Sequence, residues 1–224
     1  GFQNDDRYAC AGFLMRWGPP ALKVVGTLAA TGLVTFGLLW NTLFAQMPAL
    51  PTREALWTMN REPAVEFIDA KGDTIAVRGP RYGRAVTQQT LPKHVVDAFI
   101  DAEDRRFREH TGVDLWAIVR ATLENARAGR TVQGASTITQ QLVKNLFLTP
   151  DQTLKRKAQE ARLAGDLERL LSKNEILDLY LNRIYLGAGA YGLDAASRTY
   201  FGKAPADLTL AESAMLASFP KAPD

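Results

Sequence analysis

The longest apolar stretch of the chain lies close to its N-terminus. Residues 24–45 are 22 consecutive positions without a charged side chain. At about 1.5 Å per residue, a helix of this length reaches roughly 33 Å, which is sufficient to cross the hydrocarbon layer of a bilayer. Arg7, Arg16 and Lys23 precede the run and the next basic residue is Arg53, which favours a cytoplasmic N-terminus. The pattern predicts a retained signal anchor in preference to a cleaved signal peptide or a buried soluble helix.

After this run the pattern changes to short alternation. Residues 47–63 contain three prolines and are typical of a connector. Apolar residues then alternate at Val65 and Phe67, and again at Ile75 and Val77, on either side of a Lys-Gly-Asp sequence that is typical of a turn. This alternation predicts a β-hairpin.

From Thr90 onward, apolar positions recur at helical spacing, first between Val95 and Ile100. We expect a helix entry at Thr90 and helix ends at Gly129 and Gly202. The other predicted helix starts are Asp114, Ser136 or Thr137, Thr153, Ser172 with Glu175 as a capping box, and Thr209 with Glu212 as another. The predicted fold is therefore mainly α, with a small β-hairpin element and one N-terminal transmembrane helix.

Composition narrows the possible classes of protein. Apolar residues make up 46% and charged residues 23%, which is globular usage and excludes a disordered, collagen-like or fibrous chain. A single cysteine, Cys10, excludes an internal disulfide and a multi-cysteine zinc site. With only His94 and His110, a histidine-rich metal site is not expected. A net charge of +3 is too small to indicate a nucleic-acid partner.

The first of four polar segments, residues 103–112, follows the apolar stripe of the first predicted helix. Glu103 lies one turn after Phe99, so its carboxylate is expected at the edge of a core or cleft, where it could act as a base. The alternative is a solvated helix end with Arg105 and Arg106 as partners, and composition alone favours that alternative.

The second segment, residues 134–145, has a glycine-containing entry, a hydroxyl cap, two amides and a lysine. Thr137, Gln141 and Lys144 are spaced by four and three residues and therefore share one helix face. That face suits a sugar hydroxyl or a phosphate. An ordinary capped amphipathic helix fits the pattern equally well.

The third segment, residues 154–160, places Glu160 four residues after Arg156 and three after Lys157. This spacing is usual for surface ion pairs, but two cations here could also hold an anionic group. Between Glu103 and Glu160 there are ten basic and seven acidic residues, a surplus that equals the net charge of the whole chain. An anionic ligand is therefore plausible in this part of the chain.

The fourth segment, residues 173–192, is mainly structural by its spacing. Ile176, Tyr180 and Ile184 belong to one core stripe. Three glycines follow within residues 187–192 and are typical of a tight loop or a close backbone approach.

In this order, the four segments resemble the motifs of the peptidoglycan glycosyltransferases (glycosyltransferase family 51). These enzymes form a module of class A penicillin-binding proteins and also occur as monofunctional relatives. The matching positions are Glu103, Asp104, Phe107, His110 and Gly112; Gly134, Ser136, Thr137, Thr139, Gln140 and Gln141, with Lys144 and Asn145 in register; Arg156, Lys157 and Glu160; and residues 173–182. Four motifs in sequence within residues 90–224 are highly specific.

The resemblance implies a lysozyme-like helical domain whose cleft opens near the membrane and polymerises lipid II into glycan strands. Glu103 would be the general base for the 4-hydroxyl of the acceptor, in an inverting displacement that releases undecaprenyl pyrophosphate. Lys144, Arg156 and Lys157 would stabilise the leaving group. Glu160 would be the second essential carboxylate, which orients the acceptor or holds Arg156.

The resemblance also implies the remaining site residues and the ligands. The expected substrate-binding residues, besides the three cations, are Asp104, Phe107, His110, Gly134, Ser136, Thr137, Gln140, Gln141 and Asn145. We expect no metal ligands and no organic cofactor, but a divalent cation, Mg²⁺ or Mn²⁺, that bridges the lipid pyrophosphate. The expected partners are lipid II, the growing glycan chain, membrane lipids and other cell-wall synthesis proteins, with no nucleic acid.

These expectations give a domain layout and a location. Residues 1–23 would be cytoplasmic, 24–45 the anchor, 46–89 a linker with the hairpin, and 90–224 a glycosyltransferase domain that we expect to continue beyond the sequence. The protein would lie in the bacterial inner membrane with this domain on the periplasmic face. The alternatives are a lytic transglycosylase or lysozyme-like hydrolase, and a non-enzymatic scaffold of the cell-wall machinery. No Ser-x-x-Lys motif of a transpeptidase occurs here, so penicillin binding is not predicted for these residues.

Overall fold

A computed structural model describes residues 6–59, 63–72, 74–130, 134–148 and 153–221. The chain divides into an N-terminal unit, Gly1–Met47, and a C-terminal unit, Pro48–Asp224. The N-terminal unit contains one helix, α1 (Asp6–Phe44). Its stretch Lys23–Phe44 is long and apolar enough to cross a membrane, and its side chains are exposed. This apolar helix fits a membrane anchor.

The C-terminal unit is mainly helical, as predicted. Its helices are α2 (Arg53–Thr58), α3 (Lys93–Glu103), α4 (Leu115–Ala128), α5 (Ile138–Phe147), α6 (Leu154–Leu170), α7 (Lys173–Arg183), α8 (Leu193–Phe201) and α9 (Leu210–Ser218). The core lies where α5 packs against α6 and α7, and α3 packs against α9. Large side chains such as Phe99, Leu142, Leu167 and Tyr180 are fully buried there.

The predicted hairpin is present. Strand β1 (Val65–Ile68) pairs antiparallel with β2 (Thr74–Arg78). Asp73 of the predicted turn lies outside the described residues. The apolar side chains of Val65, Phe67, Ile68 and Ile75 are exposed, so they are not part of the core.

A second, smaller sheet was not predicted. Strand β3 (Arg81–Tyr82) pairs parallel with β4 (Ala190–Tyr191), which are separated by more than 100 residues in sequence. A side chain at Gly83 would place its Cβ 2.4 Å from the backbone nitrogen of Ala195, so only glycine permits this close packing. The pairing holds the segment before α3 against the segment that immediately precedes α8.

Hydrogen bonds from α7 extend this connection. The amide of Asn182 accepts from the N–H of Val86 at 2.8 Å and donates to its carbonyl at 2.7 Å. The carboxylate of Asp178 accepts from the N–H of Gln88 at 2.7 Å. The segment around Val86 and Gln88 is thus bound along α7.

Most of the predicted helix caps are present. The side chains of Asp114, Thr137 and Thr153 each accept from the N–H of the third residue of α4, α5 and α6, respectively. Both predicted capping boxes, at Ser172 and Thr209, are formed. Gly129 and Gly202 have the left-handed conformation that ends α4 and α8.

The predicted helix entry at Thr90 is displaced by three residues. Pro92 is the N-cap of α3, and the Thr90 hydroxyl instead donates to the carbonyl of Thr87 in the preceding turn. This difference has a physical reason, because the residue before a proline is biased away from the helical conformation.

Helix α4 exposes an apolar face. Leu115 and Trp116 are each 71% exposed, and Val119 and Leu123 are also exposed. Ala121 alone among its residues is buried. Such a contiguous apolar surface is typical of a site that contacts a membrane or another protein.

Candidate active site

A cleft of about 840 Å³ lies in the C-terminal unit between α3, α4 and the first turns of α5 and α6. Ten of the fourteen predicted site residues line it. They are Glu103, Asp104, Gly134, Ser136, Thr137, Gln141, Lys144, Arg156, Lys157 and Glu160. Three of the four polar segments, residues 103–112, 134–145 and 154–160, therefore meet at one cavity.

Glu103 is the last residue of α3, and its two carboxylate oxygens have different surroundings. Oε2 accepts a hydrogen bond of 2.7 Å from Nε2 of Gln141. Oε1 is buried and accepts no hydrogen bond from the residues that the structure describes. A buried acceptor without a partner is costly and is therefore expected to serve a purpose. The Glu103 carboxylate thus has one oxygen held by Gln141 and one oxygen that no described residue holds.

Gln141 is itself held from the core side. The phenolic O–H of Tyr180 donates to Oε1 of Gln141 at 3.3 Å. Tyr180 is completely buried on α7, and the sequence predicted it only as a core residue. Three side chains from α3, α5 and α7 thus form one hydrogen-bonded chain that ends at the cleft.

Asp104 follows Glu103 but has a different function, since it joins α3 to α5. Its Oδ2 accepts from the N–H of Ile138, the first residue of α5, at 3.1 Å. The same oxygen lies 2.9 Å from Nε2 of His110, and Oδ1 lies 3.1 Å from it. Both side chains are buried. Asp104 therefore fixes the start of α5 beside the carboxylate of Glu103.

The end of the first motif packs on α6. Gly112 has a φ of +92°, and a Cβ there would lie 2.8 Å from the carbonyl carbon of Ala164. Its own carbonyl accepts from the hydroxyl of Thr137 at 2.6 Å. Only glycine combines this backbone conformation with so close an approach. The position of the cleft wall depends on this contact.

Phe107 lies in the core and not in the cleft. The ammonium of Lys173 is 4.4 Å from the centroid of its ring and 2.7 Å from the carboxylate of Glu168. The hydroxyl of Thr139 donates to the same carboxylate at 2.6 Å. These contacts connect the first, second and fourth motifs behind the cleft.

The α6 side of the cleft contains an ion pair. Nζ of Lys157 lies 2.5 Å from Oε1 of Glu160 and donates to the hydroxyl of Ser136 at 2.8 Å. The side chain of Glu160 is 3% exposed, whereas that of Lys157 is 48% exposed. The buried carboxylate therefore holds an ammonium whose other side faces the cleft.

Charge is divided between the two sides of the cleft. The side formed by α5, α6 and the residues before them has three basic residues, Lys144, Arg156 and Lys157, and one acidic residue, Glu160. The side formed by α3, α4 and the loop between them also has three basic residues but five acidic ones, Glu103 among them. One cleft thus has a site for a proton acceptor and a separate site for an anion.

Four predicted substrate-binding residues do not line this cleft. His110 and Phe107 hold the motif together, and the Gln140 side chain completes the capping box of α5 by accepting from the N–H of Thr137. Asn145 lines a second cavity, of about 250 Å³, with Arg183 and three tyrosines. The geometry favours structural roles for the first three.

The cleft also contains residues that were not predicted as site residues. On α4, Ala117, Arg120 and Glu124 line it, and in the loop before α4 so do Arg106 and Asp114. Asp114 accepts from Arg106 at 3.0 Å. Ala117, Arg120 and Glu124 are spaced by three and four residues, which indicates one helix face. The spacing does not indicate what that face contacts.

Carboxylates are the side chains of the cleft that could ligate a hard metal ion. Within the described ranges, no three or more His, Cys, Asp or Glu side chains are grouped so that they could hold a metal ion. Four of the six carboxylates that line the cleft are instead bonded to neighbouring side chains: Asp104 to His110, Glu160 to Lys157, Asp114 to Arg106 and Glu103 to Gln141. A divalent cation that arrives with a pyrophosphate stays a prediction.

A cleft that combines an incompletely hydrogen-bonded carboxylate with a cluster of cations has the groups needed to remove a proton and to stabilise a departing anion. The model of the transglycosylase family matches residues 71–224, and the chain belongs to this family. The resemblance seen in the motifs is thereby confirmed, as is the lysozyme-like helical fold.

Curated relatives support the same assignment. Penicillin-binding protein 1A of Aquifex aeolicus (strain VF5) is 51% identical over 174 residues, which is 78% of this chain and 24% of the relative. Penicillin-binding protein 1A of Escherichia coli (strain K12) is 48% identical over 79% of this chain and 21% of its own length. Penicillin-binding protein 1F of Bacillus subtilis (strain 168) is 47% identical over 70% of this chain and 22% of its own. The chain therefore spans about a quarter of the length of these relatives.

Proposed function

We propose that the chain is the peptidoglycan glycosyltransferase part of a cell-wall synthesis enzyme and that its cleft polymerises lipid II into glycan strands. The observation that carries the proposal is the division of the cleft. Glu103 presents a buried oxygen without a partner on one side, and three cations are grouped on the other. Membership of the transglycosylase family supports this assignment.

The acceptor reacts on the side of Glu103. Its N-acetylglucosamine 4-hydroxyl gives its proton to Oε1 of Glu103 as the hydroxyl oxygen forms a bond to the anomeric carbon of the donor. Because attack and departure occur on opposite faces of that carbon, a single displacement inverts its configuration. The hydrogen bond from Gln141 holds the other carboxylate oxygen, so the base does not have to reorient during the reaction.

The donor's pyrophosphate leaves on the side of α5 and α6. The bond from the anomeric carbon to the phosphate oxygen breaks, and its electron pair stays on undecaprenyl pyrophosphate. Lys144 and Lys157 are exposed at the cleft and Arg156 is half-buried beside them, so all three can contact phosphate oxygens. Glu160 has its ion pair with Lys157, which keeps that ammonium in place.

A lipid-borne substrate requires a cleft close to a membrane. Helix α4 contributes Arg120 and Glu124 to the cleft and also exposes the apolar side chains of Leu115 and Trp116 in its first turn. We place this apolar face against the outer surface of the inner membrane, where Trp is favoured. Helix α1 would be the anchor, with residues before Lys23 in the cytoplasm and the C-terminal unit in the periplasm. Other cell-wall synthesis proteins are proposed as partners.

Polymerisation of labelled lipid II by the full-length protein in detergent tests the proposal. The parent protein should lengthen lipid II into polymer. Glu103→Gln should lose this activity by a factor of about 10² or more, because an amide cannot accept the proton. Asp97→Asn is the matched control, since it changes an exposed carboxylate on the same helix and should leave the activity unchanged.

Three outcomes would contradict the proposal. Release of fragments from finished peptidoglycan without polymerisation would indicate a lytic enzyme or hydrolase. A parent protein with no activity on either substrate would support a scaffold. Full polymerisation by Glu103→Gln would remove Glu103 as the base.

A further inference from the structure

The hydrogen-bonded chain behind Glu103 has a defined direction. Tyr180 has a single phenolic hydrogen, which it donates to Oε1 of Gln141 at 3.3 Å. The amide group of Gln141 then directs its NH₂ toward Glu103, where Nε2 lies 2.7 Å from Oε2. The opposite amide orientation would place an amide oxygen against a carboxylate oxygen, and neither could donate. One orientation of the Gln141 amide thus accepts from the phenol and donates to the carboxylate.

The environment keeps the phenol protonated. Burial is the main reason that the pKa of Tyr180 is raised well above its ordinary value, and the negative charges of Glu103 and Asp104 raise it further. The hydroxyl therefore stays protonated at neutral pH and can donate its hydrogen bond. It acts as a fixed donor and not as an acid in the reaction.

We infer that Tyr180 is a positioning residue for the reaction. Through Gln141 it fixes one oxygen of Glu103, so that the buried, unpartnered Oε1 is the oxygen that receives the proton. Tyr180 does not line the cleft and therefore acts on the base without contact with the substrate. This inference rests on the proposed function, because it assigns a role within the same transfer reaction.

The substitution Tyr180→Phe tests the inference, because it removes the hydroxyl and keeps the ring. We expect kcat for lipid II polymerisation to fall by about five- to ten-fold, which is the usual weight of one neutral hydrogen bond, with KM changed by less than about two-fold. A residue that only stabilised the fold would lower the melting temperature without this split. The substitution Tyr200→Phe is the matched control, since its hydroxyl donates to the carbonyl of Leu186 at 3.0 Å, outside the cleft.

A double-mutant cycle tests whether Tyr180 acts through Gln141. The substitution Gln141→Leu removes the amide, so adding Tyr180→Phe to it should produce no further loss of kcat. Independent, multiplicative losses would overturn the inference. Should Tyr180→Phe not fold, 4-fluorophenylalanine at position 180 fills the space of the hydroxyl and donates no hydrogen bond, and it should show the same loss of kcat.

The outcomes separate this inference from the proposed function. If the parent protein polymerises lipid II and Glu103→Gln does not, an unchanged kcat in Tyr180→Phe overturns the role of Tyr180 alone. If the parent protein does not polymerise lipid II, both proposals fail together. A fall in kcat that appears in Tyr180→Phe and not in Tyr200→Phe supports the inference.

Discussion

Removal of the Asp104 carboxylate is expected to destabilise the C-terminal unit. Substitution of the neighbouring Glu103 is expected to lower the activity without destabilising the unit. Asp104 is buried, accepts the first N–H of α5 from Ile138, and is bonded to the buried ring of His110. The substitution Asp104→Ala leaves this ring and this N–H without their partner. Breaking a buried, hydrogen-bonded pair from one side costs about 3 kcal/mol or more.

The expected loss can be measured by urea unfolding. A loss of about 3 kcal/mol is a large part of the usual free energy of unfolding, and in a unit of this size it corresponds to a fall in melting temperature of about 6 to 12 °C. Asp104→Asn should lose about half as much, because its amide oxygen can still accept from the N–H of Ile138. Glu103→Gln, the control, should change the free energy of unfolding by less than about 0.5 kcal/mol, since its amide oxygen can still accept the hydrogen bond from Gln141.

The result that would refute this reasoning is a loss of less than about 1 kcal/mol in Asp104→Ala. Asp104 would then not be the joint between α3 and α5, and its place in the motif would have to be explained by substrate contact. Equal losses in Asp104→Ala and Glu103→Gln would refute it as well.

Three further predictions concern other parts of the domain. Gly112→Ala should cost about 3 kcal/mol in thermal unfolding, because it adds a backbone clash to a positive φ, whereas Gly129→Ala, with a positive φ in open space, should cost about 1 kcal/mol. Lys144→Ala should lower kcat/KM for lipid II about ten-fold without changing the melting temperature, since this exposed lysine lies at the proposed leaving-group site. The pKa of Glu212 is lowered to about 2, first by its hydrogen bond to Lys203, so its contribution to stability is present above about pH 4.3 and is lost as the pH falls through 2. Carboxyl NMR titration of Glu212 should therefore show a midpoint near pH 2, and a midpoint near 4 would contradict it.

The local parts of the fold could be predicted from the sequence, since they depend on neighbouring residues. The capping boxes of α7 and α9 form because Ser172 and Thr209 each precede a glutamate by three residues. The pairing of β3 with β4 could not be predicted in the same way. It joins two-residue strands far apart in the chain, and so short a strand has no alternation to detect.

The site shows the same limit. The motif that begins at Glu103 identifies residues that occur together but not what each contacts. Glu103 lines the cleft, whereas His110 and Phe107, from the same motif, are buried behind it. Asp104 accepts from the N–H of Ile138, which lies 34 residues later in the sequence, and a local sequence pattern does not extend over that separation. The sequence could not distinguish Tyr180 from an ordinary core residue, because its ring is buried in the core. Only its hydroxyl contacts a residue of the cleft, Gln141.

The electrostatics of the cleft depend on where charges lie and not on their sum. The stretch from Glu103 to Glu160 has a surplus of three positive charges in sequence, yet the cleft is lined by six basic and six acidic residues. The four basic residues of that stretch that do not line the cleft are Arg108, Arg127, Arg130 and Lys155, whereas Asp101, which precedes the stretch, does line it. A uniform positive field would attract pyrophosphate but would also hinder removal of a proton, because it disfavours a protonated base. Because the acidic and basic sides of the cleft are separate, the proton and the pyrophosphate of the proposed transfer reaction would each meet a different electrostatic environment. The proton would move on the acidic side, and the pyrophosphate would leave on the basic side.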